Sequence, residues 1–447
     1  MILIGNGRVL TQSAANPLIE NGCVAVEDNL IRAVGDTAGL KRQYPQAMFV
    51  DAGGKVIMPG LINTHMHIYS AFARGMVLDQ PRPNKSFSEI LENLWWRMDK
   101  ILSLEDVRYS AYATYLECVK SGVTTVFDHH ASQGAVAGSL DVIMDVAKEL
   151  GVRASLCYEV SDRDGEAVCD AAIKENADFI ARAAKDDSDM VKGMFGLHAA
   201  FTLSDRTLEK CVAAMGGGKA GFHVHTAEGF ADLQDSLARY GKRVVERLFD
   251  AGVLGEKSIA VHCIHINGRE MDILRDTGTM VVHNPESNMG NAVGCAAVLP
   301  MLERGLLVGL GTDGYTADML ESMKVAAILH KHNLCDPSVA WAEVPQMLFA
   351  NNAAIAGRFF EKPLGVLEAG AYADIIVVDY DPHTPMTGGN QSSHILFGMT
   401  GRSVTDTMIN GRFVMRDRKI QPVDDKEILA RSRELSADFW RRIQIAM

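Results

Sequence analysis

Residues 58–67 read MPGLINTHMH, and the order of residue types in this stretch fixes how the chain on either side is parsed. A short apolar run leaves Pro59 and ends in two imidazoles, His65 and His67. Side chains two positions apart on a strand point to the same face, so both rings can reach one point beyond the strand's end. Upstream, ILIGNGRVLT, CVAVEDNLIRAVG and MFVDAGGKVIM alternate apolar and polar residues between Gly and Asn, the pattern of short strands and turns. Downstream, to about residue 362, the style changes. Strand-like pieces GLINTHMHI, GVTTVFDHH, RASLCYEV, VKGMFGLHA, AGFHVHTAE, SIAVHCIHI, MVVHNP and LVGLGTDG alternate with helical stretches such as SLEDVRYSAYATYLECVKSG and MLESMKVAAILHKHN. Eight strands in this alternation predict an α/β fold, a (β/α)8 TIM barrel, over residues 58–362.

Near Leu364 the β-rich style returns in VLEAGAYADIIVVDYD and DTMINGRFVMRDRKI, where Asn410-Gly411 has the look of a hairpin turn. Residues 1–57 and 363–421 are therefore expected to form one small discontinuous β-sandwich into which the barrel is inserted. KEILARSRELSADFWRRIQ predicts an amphipathic helix within residues 422–447. A chain of 447 residues suits such a large barrel with a smaller appendage. Its formal net charge of −12 repels polyanions, which argues against nucleic acid and anionic membrane surfaces as partners. The eight cysteines are scattered without a CxxC pair, no apolar run approaches bilayer length, and MILIGNGRVLTQ lacks the pattern of a signal peptide; the cytoplasm is the expected location.

Strand ends carry the chemistry in a barrel of this kind. His225 lies in GFHVHTAEG with Glu228 three residues on, and His223 on the same strand face reads as a hydrogen-bonded core residue. Asp313 ends LLVGLGTDG, where it either caps the next helix or joins the three histidines as a ligand. His65, His67, His225 and Asp313 form a nitrogen and oxygen donor set suited to one divalent metal, zinc ahead of iron. His262, in IAVHCIHI, reads as a further ligand or a hydrogen-bonding group over the metal, while His265 falls on the other face. His198 is either a structural histidine or a pocket residue. One of His129 and His130 faces the pocket, and alternation leaves open which. Arg74 is a substrate contact or a surface ion pair, Asn284 and Asn288 fix a loop or touch substrate, and Trp95 and Trp96 read as core, with stacking on a flat ring as the alternative.

Together these motifs carry a resemblance. PGLINTHMH, HVHTAE, VHCIH, HNPESNMG, LGTDG and EAGAYADIIVVD resemble, in this order, the signatures of the amidohydrolase superfamily and of its aminohydrolase branch of guanine, S-adenosylhomocysteine, 8-oxoguanine and triazine hydrolases. NLWWRMD, DHHAS, SNMGNAVG and FGMTGRSV resemble the SsnA group within that branch. The resemblance implies a hydrolase with one metal on His65, His67, His225 and Asp313. It also implies a proton shuttle at Glu228, a water or substrate contact at His262, and substrate contact at His198. Asp313 would take the proton of the attacking water, Glu228 would protonate the ring, and His262 would stabilise charge on the attacking oxygen. The implied substrate is a flat nitrogen heterocycle of purine, pterin, pyrimidine or triazine type that loses ammonia, and the implied assembly is a homo-oligomer. Two segments depart from better-known deaminases: Ser287-Asn288-Met289-Gly290-Asn291 after HNP, and Ala131 after DHH. Ring opening of a cyclic amide or loss of chloride would use the same water. A two-metal cyclic-amide hydrolase would resemble this chain but needs a carboxylated lysine on the fourth barrel strand, where MFGLHAAFT offers His198 and Lys192 lies at the wrong end. A non-catalytic scaffold would lose ligands that are all kept here.

Overall fold

Five strands open the chain: β1 (Ile2–Leu10), β2 (Leu18–Glu27), β3 (Leu30–Asp36), β4 (Met48–Asp51) and β5 (Val56–Pro59). A computed structural model describes them together with the rest of residues 1–77, 82–217 and 220–445. Nine strands follow in the central part: β6 (Leu61–Met66), β7 (Val123–His130), β8 (Arg153–Tyr158), β9 (Val191–Gly193), β10 (Phe195–Ala199), β11 (Phe222–Thr226), β12 (Ile259–His262), β13 (Met280–His283) and β14 (Val308–Leu310). The chain closes with β15 (Ile375–Val378), β16 (Val404–Ile409), β17 (Arg412–Arg416), β18 (Lys419–Ile420) and a helix over Asp425–Ile445.

The two ends of the chain build one nine-stranded sheet in the order β18-β17-β16-β15-β5-β1-β2-β3, with β4 against β1. Strand β15 runs antiparallel to β5, Ile376 opposite Met58, and this is where the returning chain rejoins the first segment. The opening segment extends through Pro59, two residues past the expected boundary, because Met58 and Pro59 are paired to β15. Asn410 and Gly411 both have positive φ (50° and 76°), the requirement of a type I′ hairpin, and they join β16 to β17 as their sequence predicts. Ile4, Val9, Val24, Val26, Ile57, Ile375, Val377 and Met408 form the sheet's main apolar cluster.

The central strands are all parallel and fall in two sheets, β6-β7-β8-β9 and β10-β11-β12-β13-β14. Almost every residue in them is buried, which explains their near-continuous apolar sequences. Isolated parallel bridges tie the sheets together at two places, Val160 to Leu197 and Met66 to Asp313. At the second, a buried amide does the stitching. Asn352 Nδ2 donates to the carbonyls of Ile62 and Leu310 (both 2.8 Å), while its Oδ1 accepts from the Leu310 N–H at 2.8 Å. Gly311 permits the approach, since a Cβ there would stand 2.8 Å from the His65 carbonyl oxygen and 2.5 Å from Asn284 Oδ1. The C-terminal helix packs on the helix Leu104–Lys120, with Arg442 held by Asp106 at 2.7 Å. No helix among the described residues is long and apolar enough to cross a membrane.

Removing the Asn352 amide takes a partner from three buried backbone groups of β6 and β14; the Leu310 carbonyl keeps the Thr64 hydroxyl at 3.1 Å, and each group left unpaired costs about 1–3 kcal/mol. The variant Asn352→Ala is expected to melt several degrees below the parent by thermal circular dichroism. An unchanged melting curve would show that the amide does not hold the two strands together.

Candidate metal centre

Residues from four strand ends meet at one point. His65 lies in β6 and His67 just beyond it; His225 lies in β11 beside His262 of β12, with Thr226 in register with His262. Asp313 follows β14 and bridges back to Met66. The backbone turns sharply to aim two of these side chains inward: His262 has φ 71° and Asp313 φ 55°. Side chains other than glycine's adopt the left-handed region at a cost of order 1–3 kcal/mol each, and such strain concentrates at functional sites.

Hydrogen bonds decide which ring nitrogens face the centre. The Nδ1–H of His67 donates to the His129 carbonyl (2.6 Å) and that of His225 to the His198 carbonyl (2.9 Å). Nδ1 of His65 lies 2.9 Å from Nε2 of His223. A carbonyl can only accept, so in the neutral rings of His67 and His225 the Nε2 lone pair is left pointing inward. Those two Nε2 atoms stand 3.2 Å apart, and Asp313 Oδ1 lies 3.1 Å from His67 Nε2 and 4.0 Å from His65 Nε2. The Nε2 atom of His65 is buried with no hydrogen-bond partner. Inward lone pairs at such spacing repel one another unless a cation sits among them, and three imidazoles with a carboxylate are a fitting set for Zn²⁺ or Fe²⁺. Outward bonds from ligating histidines to carbonyls or other acceptors are the usual support of metal sites. The residues therefore fit the metal that the sequence leads one to expect.

Charge states follow the same layout. Burial and the neighbouring imidazoles push His65 and His225 well below the usual histidine range, so both stay neutral. Burial also opposes charge on His67, but Asp313 beside it wins and raises its pKa to about 9. Burial likewise opposes charge on Asp313, yet His67 holds its carboxyl below the usual range, helped by the Ser287 hydroxyl at 2.5 Å. Glu228 goes the other way. Burial, then the charge of Asp313, raises it well above the usual carboxylate range, which keeps a proton on it. Its Oε2 lies 3.3 Å from His262 Nε2, and its Oε1 is buried and unpartnered. His262 donates its Nδ1–H to Asn288 Oδ1 (2.8 Å), which turns Nε2 toward Glu228 and, at 3.7 Å, toward Asp313.

A cavity opens over this centre. His67, His225, Glu228, Ser287 and Asp313 line its inner end, and His198 lines it too. Trp95 and Trp96, read from sequence as core, are wall residues beside Phe87, Leu91 and Phe201. They sit where a π-helical turn, Leu91–Trp95, passes into the helix Trp96–Ile101, and such bulges occur often at functional sites. Four of the candidate contacts lie off this wall. His129 turns toward His67 and His225, 4.5 Å from the His225 ring, but donates through Nε2 to the carbonyls of Leu197 and His223 and lies a layer below the cavity. His130 turns the opposite way, to Ser132. Asn288 supports His262 from behind. Arg74 forms a two-pronged ion pair with Glu117 in an adjoining cavity that shares His67, Trp95 and Asp313 with this one. Lys192 pairs with Asp189 (2.5 Å) on β9, below the strand tips. Sequence reading passed over Glu159, a buried carboxylate just past β8 that lines the cavity; its signal was a charged residue ending the apolar run of RASLCYEV.

Residues 56–414 match the Amidohydrolase family. The chain belongs to that family. A second match, to the imidazolonepropionase-like composite domain of bacteria, covers residues 22–47 in the small sheet. Over 449 aligned residues the chain is 33% identical to the 5'-deoxyadenosine deaminase of Methanosarcina mazei, covering 99% of each protein. It is 32% identical over 439 residues to the 5-methylthioadenosine/S-adenosylhomocysteine deaminase of Syntrophomonas wolfei, covering 97% of this chain and 98% of that one. Among solved structures, an adenosine deaminase from Xanthomonas campestris with bound zinc superposes with a TM-score of 0.87 at 25% identity, covering 99% and 98% of the two chains. This amidohydrolase thus shares its whole length, small sheet included, with deaminase relatives.

Two measurements test the centre. His223→Phe removes the nitrogen behind His65 and should weaken zinc binding about 10–100-fold by competition with a chromogenic chelator; unchanged affinity would mean His223 does not orient the ligand. In metal-stripped protein the proton on His67 stabilises the fold, because its folded pKa of about 9 exceeds the usual 6.5. That contribution is complete below pH 6.5 and fades as pH rises through 9. The melting temperature of stripped protein should therefore fall over this window relative to a His67→Gln variant, and parallel profiles would contradict the pairing with Asp313.

Proposed function

We propose that this amidohydrolase is a one-metal aminohydrolase that replaces an exocyclic amine of a nitrogen heterocycle by oxygen, releasing ammonia. The observation that carries this reading is the set of inward-facing nitrogens of His65, His67 and His225 with Asp313, faced by a protonated Glu228 3.3 Å from His262. The two parallel sheets are read as one closed (β/α)8 barrel, residues 58–362, set into a small sandwich formed by residues 1–57 and 363–421 as the nine-stranded sheet curls over. The bridges at Met66–Asp313 and Val160–Leu197 support that closure. Zinc is the preferred metal, in keeping with the donor set. When bound, the ion supplies a nucleophilic water at neutral pH and charge neutralisation.

The chain's own groups then divide the proton traffic. Glu228 gives its proton to the ring nitrogen beside the amine-bearing carbon, and the water oxygen bonds to that carbon. Asp313, oriented by Ser287 and by the Gly314 N–H at 2.7 Å, takes a proton from the water. Because the Nδ1–H of His262 is committed to Asn288, its neutral Nε2 accepts a hydrogen bond from the entering oxygen, and it donates only once it has gained a proton. The C–N bond breaks as Asp313 passes its proton to the amine, which leaves as ammonia. Glu228 is reprotonated from the new hydroxyl as the carbonyl forms. Glu228 and Asp313 are the same kind of acid with opposite charge states, the division of labour that general acid–base catalysis needs.

The likeness to 5'-deoxyadenosine deaminases makes 5'-deoxyadenosine the first compound to try. Zinc-loaded protein should release ammonia from it, and Glu228→Gln should lower kcat by about 10²–10⁴-fold while metal content stays near one ion per chain. Near-parental turnover in that variant would remove Glu228 from the mechanism. Ring opening without ammonia would remove the deaminase assignment.

A further inference from the structure

The cavity wall bears on which heterocycles can enter, given the aminohydrolase reading above. Its carboxyl groups are Glu159, Glu228, Asp232 and Asp313, and among the described residues no lysine or arginine lines it; Arg74 lines the adjoining cavity, which shares His67, Trp95 and Asp313 with this one, and is paired there with Glu117. Arg163 lies behind the wall and is shared by three carboxylates: Asp99 at 2.5 Å, Glu159 at 3.2 Å and Asp164 at 3.6 Å. Glu159 is 3% exposed. Its Oε1 stands 3.8 Å from His198 Nε2, and one of its oxygens lies within 4.8 Å of nitrogens of both His198 and His225. The guanidinium contact favours the ionised form, and an ionised carboxylate only accepts hydrogen bonds. The outer wall is apolar: Phe87, Leu91, Trp95, Trp96 and Phe201.

We propose that Glu159 is a specificity-determining residue whose carboxylate accepts a hydrogen bond from an N–H or O–H of the substrate, and that this cavity admits uncharged heterocycles and neutral nucleosides while rejecting their phosphorylated counterparts. An N–H or O–H brought to Glu159 makes a charge-assisted bond in a site shielded from water. A phosphate at the outer end of the same cavity, away from the metal, loses its hydration against the aromatic wall, finds no lysine or arginine on that wall and stands near the ionised Glu159. The chain's net charge of −12 adds a long-range barrier of the same sign.

Trp95 and Trp96 line the cavity, so tryptophan fluorescence reports occupancy without requiring turnover. Zinc-loaded protein is titrated with 5'-deoxyadenosine and, separately, with adenosine 5'-monophosphate. The nucleoside is expected to bind at least about 100-fold more tightly than the nucleotide. Glu159→Gln should weaken nucleoside binding about tenfold, the weight of a hydrogen bond to a charged group, and should narrow the gap to the nucleotide. Glu159→Asp, which keeps the charge on a shorter arm, should weaken the nucleoside but preserve rejection of the nucleotide. Equal affinities in the parent protein, no binding of the nucleoside, or an unchanged affinity ratio in Glu159→Gln would each overturn the proposal. A nucleoside that binds as described but releases no ammonia would instead refute the aminohydrolase reading and leave the role of Glu159 standing.

Discussion

Two imidazole nitrogens that face each other across 3.2 Å repel when both rings are neutral, and the structure goes to some length to keep them there. The Nδ1–H groups of His67 and His225 are tied to backbone carbonyls, and Nδ1 of His65 is tied to the His223 ring. Each bond orients one ring, and the carbonyls select its tautomer as well. What remains is a concentration of electron density that takes up a proton at His67 in the stripped protein and a metal cation when one is bound. The charge states of Asp313, Glu228 and His262 are set around that point, so the chemistry assigned to them depends on these outward bonds as much as on the inward-facing atoms.

Parallel strands deliver such a cluster because their ends lie side by side in space while their sequences lie far apart. β6 and β14 meet only because Gly311 lets the backbones approach and Asn352 satisfies the peptide groups between them. This pairing places Asp313 against His67. Glu228, a few residues beyond β11, then occupies a dry position where its carboxyl keeps a proton, although an ionised carboxylate stands close by. Two acids in one pocket thereby acquire opposite tasks without any change of residue type.

Much of this was legible in the sequence because strand alternation and apolar runs are local signals. HMH at the end of an apolar run, HVHTAE and LGTDG mark strand tips without any knowledge of what they face, and the Asn410-Gly411 hairpin is written in two residues. What escaped depends on long-range packing. Trp95 and Trp96 look like core residues because an apolar helix has the same composition whether it covers a core or roofs a cavity. Glu159 is one carboxylate among 56 acidic residues until the fold brings His198 and Arg163 to it. Neither His129 nor His130 reaches the wall, since one strand residue points inward below it and the next points outward. Asn288 and Arg74 are polar residues in suggestive places, and their partners, His262 and Glu117, lie 26 and 43 positions away.

The left-handed backbone at His262 and Asp313 has a consequence for how this protein wears out. Each residue sits in a conformation it would leave if its surroundings loosened, and both lie at the tips of strands, where the regular pairing ends. Gentle heating would let these two peptides relax first, swinging imidazole and carboxylate out of line while the interior remains intact. Ageing of such an enzyme begins as a loss of aim, well before the chain comes apart.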